Sequence, residues 1–316
     1  MAEETQRRKA DHIRICLDKK SQAKKATTGL EDVHFIHKAI PEINKQNIKL
    51  DTQFFGHQFS APLIVGAITG GTAQAEKINA TIAEAVEKLQ IGMGVGSQRA
   101  AIEDKSLVQT FAIARKKAPN AFLIANIGGV QLVHGYSGKE AKKAIDMIDA
   151  DAIAIHLNAL QEAIQPEGQT NFEGVLAKIA AITSELDKPV IVKETGTGIA
   201  AEEAKMLEDA GVKAIDVGGV GGTSFAAVEY HRTDEKENQL QRFLGEAFWD
   251  WGIPTATSIA ELAQTVKIPI IASGGIRNGS DIAKTLALGA KFASLSQPIL
   301  QASVKGVKET ESLLIL

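Results

Sequence analysis

The chain has 316 residues, 44% of them hydrophobic and 23% charged, with a formal net charge of −3. That is enough apolar material for a large core and too little net charge for a nucleic-acid surface. A single cysteine, Cys16, rules out a disulfide framework within the chain; no apolar run reaches the roughly 18 residues a membrane span needs, and the charged N-terminus holds no signal-like segment, so a cytoplasmic protein with no nucleic-acid or membrane partner is expected.

Residues 1–50 read as a helix followed by irregular chain, an extension preceding one domain over 51–316. The run from Arg7 to Lys25 is locally basic, which is either a solvated face or a place for a phosphorylated ligand. From about residue 60 short apolar runs alternate with longer amphipathic ones. Strands are expected near 62–68, 91–96, 122–127, 151–157, 189–194, 213–218, 269–274 and 291–296. Helical patterns lie between them, among them Glu76–Leu89, Lys139–Ile148, Phe172–Leu186, Ala200–Ala210 and Ser258–Val266. Eight strands with crossover helices predict a closed α/β barrel of the (β/α)8 (TIM) type; an open doubly wound sheet is the alternative.

Several connections carry chemistry. Ile68-Thr69-Gly70-Gly71 follows the first strand and can bring backbone and a hydroxyl against a flat ring, or be a plain turn. Asn126 ends the third strand. In the fourth, Ala152, Ala154, His156 and Asn158 alternate with Ile153, Ile155 and Leu157. Side chains alternate across a strand, so the first set faces the barrel axis and the second the surrounding helices. His156 and Asn158 then stand at the C-terminal end, where barrel active sites are built. The stretch from His156 through Gln161 and Glu162 to Gly168 gathers polar groups in one loop, and Glu162 suits Mg²⁺, which favours oxygen ligands. Lys193 ends the fifth strand, and a lysine aimed into a barrel needs an anion, either a structural partner or a cofactor.

The segment Gly218-Gly219-Val220-Gly221-Gly222-Thr223-Ser224, followed by Glu229, opens a connection of unusual length, about 219–252, which is expected to act as an active-site lid. After the seventh strand, Ser273-Gly274-Gly275-Ile276-Arg277-Asn278-Gly279-Ser280-Asp281 reads as a phosphate site, because glycines let amides approach an anion and a helix start adds a positive dipole end. No Gly-x-Ser-x-Gly elbow, His-Glu-x-x-His pattern or Walker loop is present. Acid–base chemistry therefore falls to the His156–Glu162 cluster, Glu229 or a cofactor.

Taken together these motifs resemble the type 2, FMN-dependent isopentenyl diphosphate isomerases, from about Arg8 to Pro298. The carriers are Arg8-Lys9 with Asp11-His12, Thr28-Gly29-Leu30, Thr69-Gly70-Gly71, Gly94-Val95-Gly96-Ser97-Gln98-Arg99, Ala125-Asn126, His156 through Gly168, Val192-Lys193-Glu194, Gly221-Gly222-Thr223, Trp251 through Ala256, and Ser273 through Arg277. The resemblance implies FMN contacts at Ile68, Thr69, Gly70, Ser97, Asn126, Lys193, Thr223, Gly275, Ile276, Arg277, Ser296 and Gln297. It implies a substrate diphosphate at Ser97, Arg99, His156, Asn158 and Gln161 and, from a neighbouring subunit, at Arg8 and Lys9. Glu162 would hold Mg²⁺, and Gln161, His156, Lys193 and Glu229 would serve catalysis. The implied reaction moves a double bond, isopentenyl to dimethylallyl diphosphate, with reduced FMN as acid–base, NAD(P)H as reductant and a homo-tetramer or homo-octamer as the assembly.

This chain departs from the family at Gly218, commonly serine, at Phe225, often tryptophan, and at Ile68, often methionine. It also closes on the apolar run Leu313-Leu314-Ile315-Leu316 where the family usually continues with further helix, so truncation or packing between subunits is expected there. The enzymatic rival is an FMN-dependent 2-hydroxy-acid oxidase or dehydrogenase. That family resembles the chain at Gly274-Gly275 but needs His-Gly-Gly-Arg after the sixth strand, where this chain reads Val220-Gly221-Gly222-Thr223. A catalytically dead flavin-binding protein is the other alternative, argued against by Gln161, Glu162 and Lys193.

Overall fold

Two three-residue strands, β1 (Thr52–Phe54) and β2 (His57–Phe59), form an antiparallel hairpin ahead of the barrel. Then come β3 (Leu63–Val65), β4 (Gly92–Gly94), β5 (Phe122–Gly128), β6 (Ala152–Leu157), β7 (Val190–Glu194), β8 (Ala214–Asp216), β9 (Ile270–Ala272) and β10 (Phe292–Leu295). These eight pair in parallel, in the order β10-β3-β4-β5-β6-β7-β8-β9, and close into a barrel. The fold is the expected (β/α)8 barrel, seen in a computed structural model that describes residues 2–18, 21–233 and 238–315.

The side-chain alternation of β6 is as expected. Ala154 faces the barrel interior, and His156 and Asn158 reach the cleft above it. Ile153 and Ile155 are fully buried in the core. The helices predicted from Lys139 and Ala200 start within one residue, at Gly138 and Ala201, and three others start three residues away; Ala73–Leu89 begins ahead of Glu76, capped by the Thr72 side chain. Gly174, at φ +79, caps the helix Val175–Glu185, so no helical turn forms at Phe172. Pro254 precedes the helix Thr255–Thr265 and starts it three residues ahead of Ser258, because its fixed φ suits a helix entry.

The hairpin is not among the expected elements. Its two-residue turn, Phe55-Gly56, has positive φ at both positions (+49° and +81°), the geometry that matches the twist of paired strands. It places Phe54 and Phe59 against Phe122 and Phe292, the first residues of β5 and β10, with ring centroids 4.8–5.5 Å apart. All four rings are buried. The hairpin therefore plugs the N-terminal mouth, and Gly92 leaves room for it, since a Cβ there would lie 2.9 Å from the Phe59 ring.

At the opposite mouth lies the extension. Helix α1 (Ala2–Leu17) packs against the helices Phe225–Arg232, Gln297–Ser303 and Arg99–Glu103. Ser21 and Leu30 are buried, whereas Phe35, Ile36, Ile40, Ile43, Ile48 and Leu50 are exposed. The long connection after β8 is largely helical: Phe225–Arg232 and Gln239–Ala247 pack on each other and on the helix Ala159–Ile164. Positions 234–237 of the expected lid lie outside the described residues. The final helix, Val307–Ile315, rests on the helix Ala73–Leu89, and Leu313 and Leu314 join the core.

Candidate active site

The C-terminal ends of the strands open into a cleft of about 1630 Å³, its open mouth included. Nearly every residue singled out in the sequence lines it: Arg8, Lys9, Ile68, Thr69, Ser97, Arg99, Asn126, His156, Asn158, Gln161, Glu162, Lys193, Thr223, Gly275, Ile276, Arg277, Ser296 and Gln297. Two do not. Gly70 packs on the ring of Phe111, which would meet a Cβ at 1.9 Å, and Glu229 stands one layer back. Arg8 and Lys9 enter the cleft of their own chain, where a neighbouring subunit was the expected source.

One wall is basic. Lys9 Nζ donates to the Ser97 carbonyl at 2.7 Å and lies over Phe111. Burial, helped by Arg8, brings its pKa down to about 7, so an arriving anion would find a lysine ready to take up a proton. Arg99 donates to Glu103 at 2.7 Å and Gln169 at 3.3 Å. His156 Nδ1 faces Asn126 Oδ1 at 2.9 Å. Burial, then Lys193 and Lys9, hold the imidazole down at about 3. It is therefore neutral, and because Nδ1 faces a carbonyl oxygen, Nδ1 carries the proton.

The adjoining wall is a chain of carboxylates and amides. Gln161 Nε2 donates to Glu229 Oε1 at 2.9 Å, while Gln161 Oε1 accepts from Asn158 Nδ2 at 3.2 Å. Glu229 is wholly buried. It also meets His12 Nε2 at 2.9 Å and Arg232 Nε at 2.6 Å. Burial opposes its charge, but His12, Arg232 and Gln161 overcome that and hold the carboxyl down at about 2. Arg232 continues to Glu167 at 2.7 Å, and Arg8 reaches the same carboxylate at 3.7 Å. Glu162 accepts from Asn158 Nδ2 (3.0 Å), Gln165 Nε2 (2.6 Å) and the Gln169 amide (2.7 Å). Among the described residues no group of three or more His, Cys, Asp or Glu side chains gathers to hold a metal.

His12, Glu167 and Arg232 are site residues that sequence reasoning missed as such. Arg232 follows Glu229 by three on one helix, a spacing that places side chains side by side. His12 was visible only as part of a motif. Gln22 is a further one, since its amide bridges Thr223 Oγ1 (3.0 Å) and Arg277 Nη2 (2.5 Å).

The far end of the cleft is glycine-lined. A Cβ at Gly222 would fall 2.5 Å from the Gly275 amide, and one at Gly275 would fall 2.7 Å from Gly221, so the two turns pack with no space for side chains. Beyond Arg277 the helix Gly279–Ala287 begins, capped by Asn278 Oδ1 accepting from Asp281 N at 2.9 Å. Inside the cleft two buried polar atoms, Asn158 Oδ1 and Ser294 Oγ, have no hydrogen-bond partner in the protein. Such atoms cost free energy unless a ligand or water meets them. A glycine cradle at a helix N-terminus, a lysine on the floor and orphaned polar atoms together fit a flat, polar-edged mononucleotide.

A family profile described as FMN-dependent dehydrogenase matches residues 1–125 and 134–315. The isopentenyl-diphosphate delta-isomerase of Methanothermobacter thermautotrophicus is 49% identical over 302 residues, 96% of this chain and 83% of that protein. The chain belongs to the FMN-dependent isopentenyl-diphosphate delta-isomerases. The Ignicoccus hospitalis isomerase is likewise 49% identical over 312 residues, covering 98% of this chain and 86% of that protein. Among solved structures a mandelate oxidase superposes with a TM-score of 0.62 at 16% identity, covering 99% of this chain and 90% of that one. At that identity the likeness is one of fold. At the expected position of a His-Gly-Gly-Arg motif stand Val220, buried and bridged to Pro254, and Thr223, which lines the cleft.

The glycine at 218 has a local cause. Gly218 sits at φ +52, and a Cβ there would lie 2.3 Å from the Glu194 carbonyl, so the serine common in the family does not fit this backbone. Its amide instead donates to Ser273 Oγ at 3.0 Å.

Proposed function

We propose that the protein interconverts isopentenyl and dimethylallyl diphosphate with FMN and Mg²⁺ bound in the C-terminal cleft. The observation that carries this reading is the meeting of Gln161 and Glu162 with a basic wall in one cleft, in a chain 49% identical to isomerases of that name. When bound and reduced, FMN would supply the proton-transfer chemistry at the alkene, without net oxidation, and NAD(P)H would be its source of reducing equivalents.

The rest falls to the chain. Thr69, Ser97, Asn126, Lys193, Thr223, the Gly275–Arg277 turn and Ser296 would hold the flavin, with its phosphate on the glycine turns. Arg8, Lys9, Arg99 and His156 would bind the diphosphate, whose negative charge favours the protonated forms of Lys9 and His156. Glu162 would anchor Mg²⁺, a cation that keeps phosphate oxygens and water in its shell and so needs few protein ligands. Gln161, held by Glu229 and Asn158, would orient the alkene end. The Glu229–His12 contact would tie α1 to that amide. Exposed apolar side chains from Phe35 to Leu50 support a homo-oligomer, tetramer or octamer. No described helix is long and apolar enough to cross a membrane.

The test is an anaerobic assay with isopentenyl diphosphate, Mg²⁺ and chemically reduced FMN. Dimethylallyl diphosphate should form, oxidised enzyme should be inactive, and the purified protein should retain FMN over FAD. Absence of product from folded, FMN-loaded, reduced protein would sink the proposal. Oxidation of a 2-hydroxy acid would replace it.

A further inference from the structure

Six residues line both the cleft and a small void in the barrel beneath it: Gly66, Ala67, Asn126, Lys193, Asp216 and Ser294. They are the floor of the site. Below them the void is walled by aliphatic side chains such as Ile124, Ile191 and Ile271. Two floor residues are ionisable and of opposite sign, and they stand side by side, because Lys193 on β7 and Asp216 on β8 are partners in the strand register. They make no ion pair within 4.0 Å, so the lysine acts on the carboxyl through its field, as a close opposite charge does. Lys193 Nζ donates to the Glu194 carbonyl at 2.7 Å. Asp216 is 7% exposed and accepts from Ser273 Oγ, which in turn accepts from the Gly218 amide at 3.0 Å. The Gly218 backbone packs against the Glu194 carbonyl with no room for a side chain.

The diphosphate wall makes no use of this acid. Burial pushes the Asp216 carboxyl up, while Lys193 and the Ser273 hydrogen bond pull it back. Its charge thus depends on the lysine beside it. A lone cation beneath a flavin favours the reduced, anionic ring over the neutral oxidised one, and a countercharge next to that cation weakens the preference.

We propose that Asp216 is the countercharge of Lys193 in the cleft floor and, acting through Lys193, a positioning residue that sets how far the site favours reduced over oxidised FMN. The inference rests on the FMN reading above. The experiment is an anaerobic titration of the flavin midpoint potential, with the affinity for oxidised FMN measured alongside, on the parent holoprotein and four variants. Asp216→Asn should raise the ratio of reduced to oxidised affinity about tenfold, a positive shift of about 30 mV for a two-electron couple. Ser273→Ala, which removes the hydrogen bond stabilising the carboxylate, should shift the potential the same way by less. Lys193→Met should shift it negatively. In the Lys193→Met background Asp216→Asn should shift the potential less than in the parent, because burial, no longer opposed by the lysine, pushes the carboxyl further towards its neutral form.

Parent-like potentials in Asp216→Asn and Ser273→Ala would overturn the proposal. So would an Asp216→Asn shift that persists in full without Lys193. Should Asp216→Asn fail to fold, Ser273→Ala decides: an unchanged potential refutes the inference and a positive shift supports it. A parent protein that folds but retains no FMN would refute the FMN reading, a different outcome from loaded protein with an unmoved potential.

Discussion

The two mouths of the barrel are closed by opposite physics. At the N-terminal mouth four phenylalanines interlock, and nothing there needs a charge or a fixed proton. At the C-terminal mouth α1 is held by Glu229, Glu167 and the Ser97 carbonyl, each taking a cation or imidazole from it at 2.7–3.7 Å. Apolar contacts are non-directional and tolerate small displacements, whereas buried ion pairs are costly to desolvate and repay that only in good geometry. The plug is thus suited to stability and the cover to position. The same chain keeps these tasks at opposite ends of its strands, as barrels with catalytic C-terminal faces do.

If that division holds, damage at each end should have a different signature. The largest effect is expected from Gln161→Ala, which should lower kcat roughly 10²–10⁴-fold in the reduced-FMN assay while denaturant unfolding falls by only about 1–3 kcal/mol, the cost of leaving Glu229 and Asn158 without that partner. Equal losses of activity and stability would erase the distinction. Phe59→Ala should do the reverse, costing about 3–5 kcal/mol in urea unfolding, with kcat near parental where the variant is still folded. A kcat loss in that folded variant would mean the plug positions the site. Arg8→Ala or Lys9→Ala, each alone, should raise KM about 10–100-fold, since a charge-assisted hydrogen bond contributes about 1.5–3 kcal/mol, and FMN retention should not change. Loss of flavin instead would make α1 a structural element.

The smallest expected effect is a pH slope. Lys9 has its pKa lowered to about 7 in the free protein, against an ordinary 10.5, and diphosphate should raise it again. Binding then takes up a proton between those values, so affinity should fall as pH rises through that window, by at most about tenfold per unit. Calorimetry in buffers of different ionisation enthalpy would read the uptake directly, and Lys9→Met should abolish it. Uptake that survives in Lys9→Met would assign the proton to another group.

Much of this contrast was legible in the sequence, and unevenly so. The alternation from Ala152 to Asn158 places His156 and Asn158 at the cleft because strand periodicity is rigid. Applied to the strand expected near 213–218, the same alternation sets Asp216 on one face with Ala214 and Gly218, but neither neighbour is polar, so nothing in the run marks that face as a site. Motif spacing led to Gln161 and Glu162. It misplaced Gly70, because a glycine admits close approach without saying whether ligand or Phe111 will approach. The hairpin was hidden since its turn carries Phe55 where Asn or Gly would signal one. The link from His12 to Glu229 was beyond reach, because it joins residues 217 positions apart by tertiary packing alone.

That distance has a consequence for how the enzyme matures. Contacts at the cover span most of the chain: Gln22 with Arg277 are 255 residues apart, and Cys16 with Gln297 are 281. Helix α1 precedes all its partners in sequence, which run from Ser97 to Gln297. The longest loop they close spans 281 residues, so the closure entropy must be met by a barrel that is already assembled. During synthesis α1 therefore waits, basic and unpaired, until the strands that carry its acceptors have closed. The basic wall of the cleft is therefore completed by a final docking event, and it requires the assembled barrel.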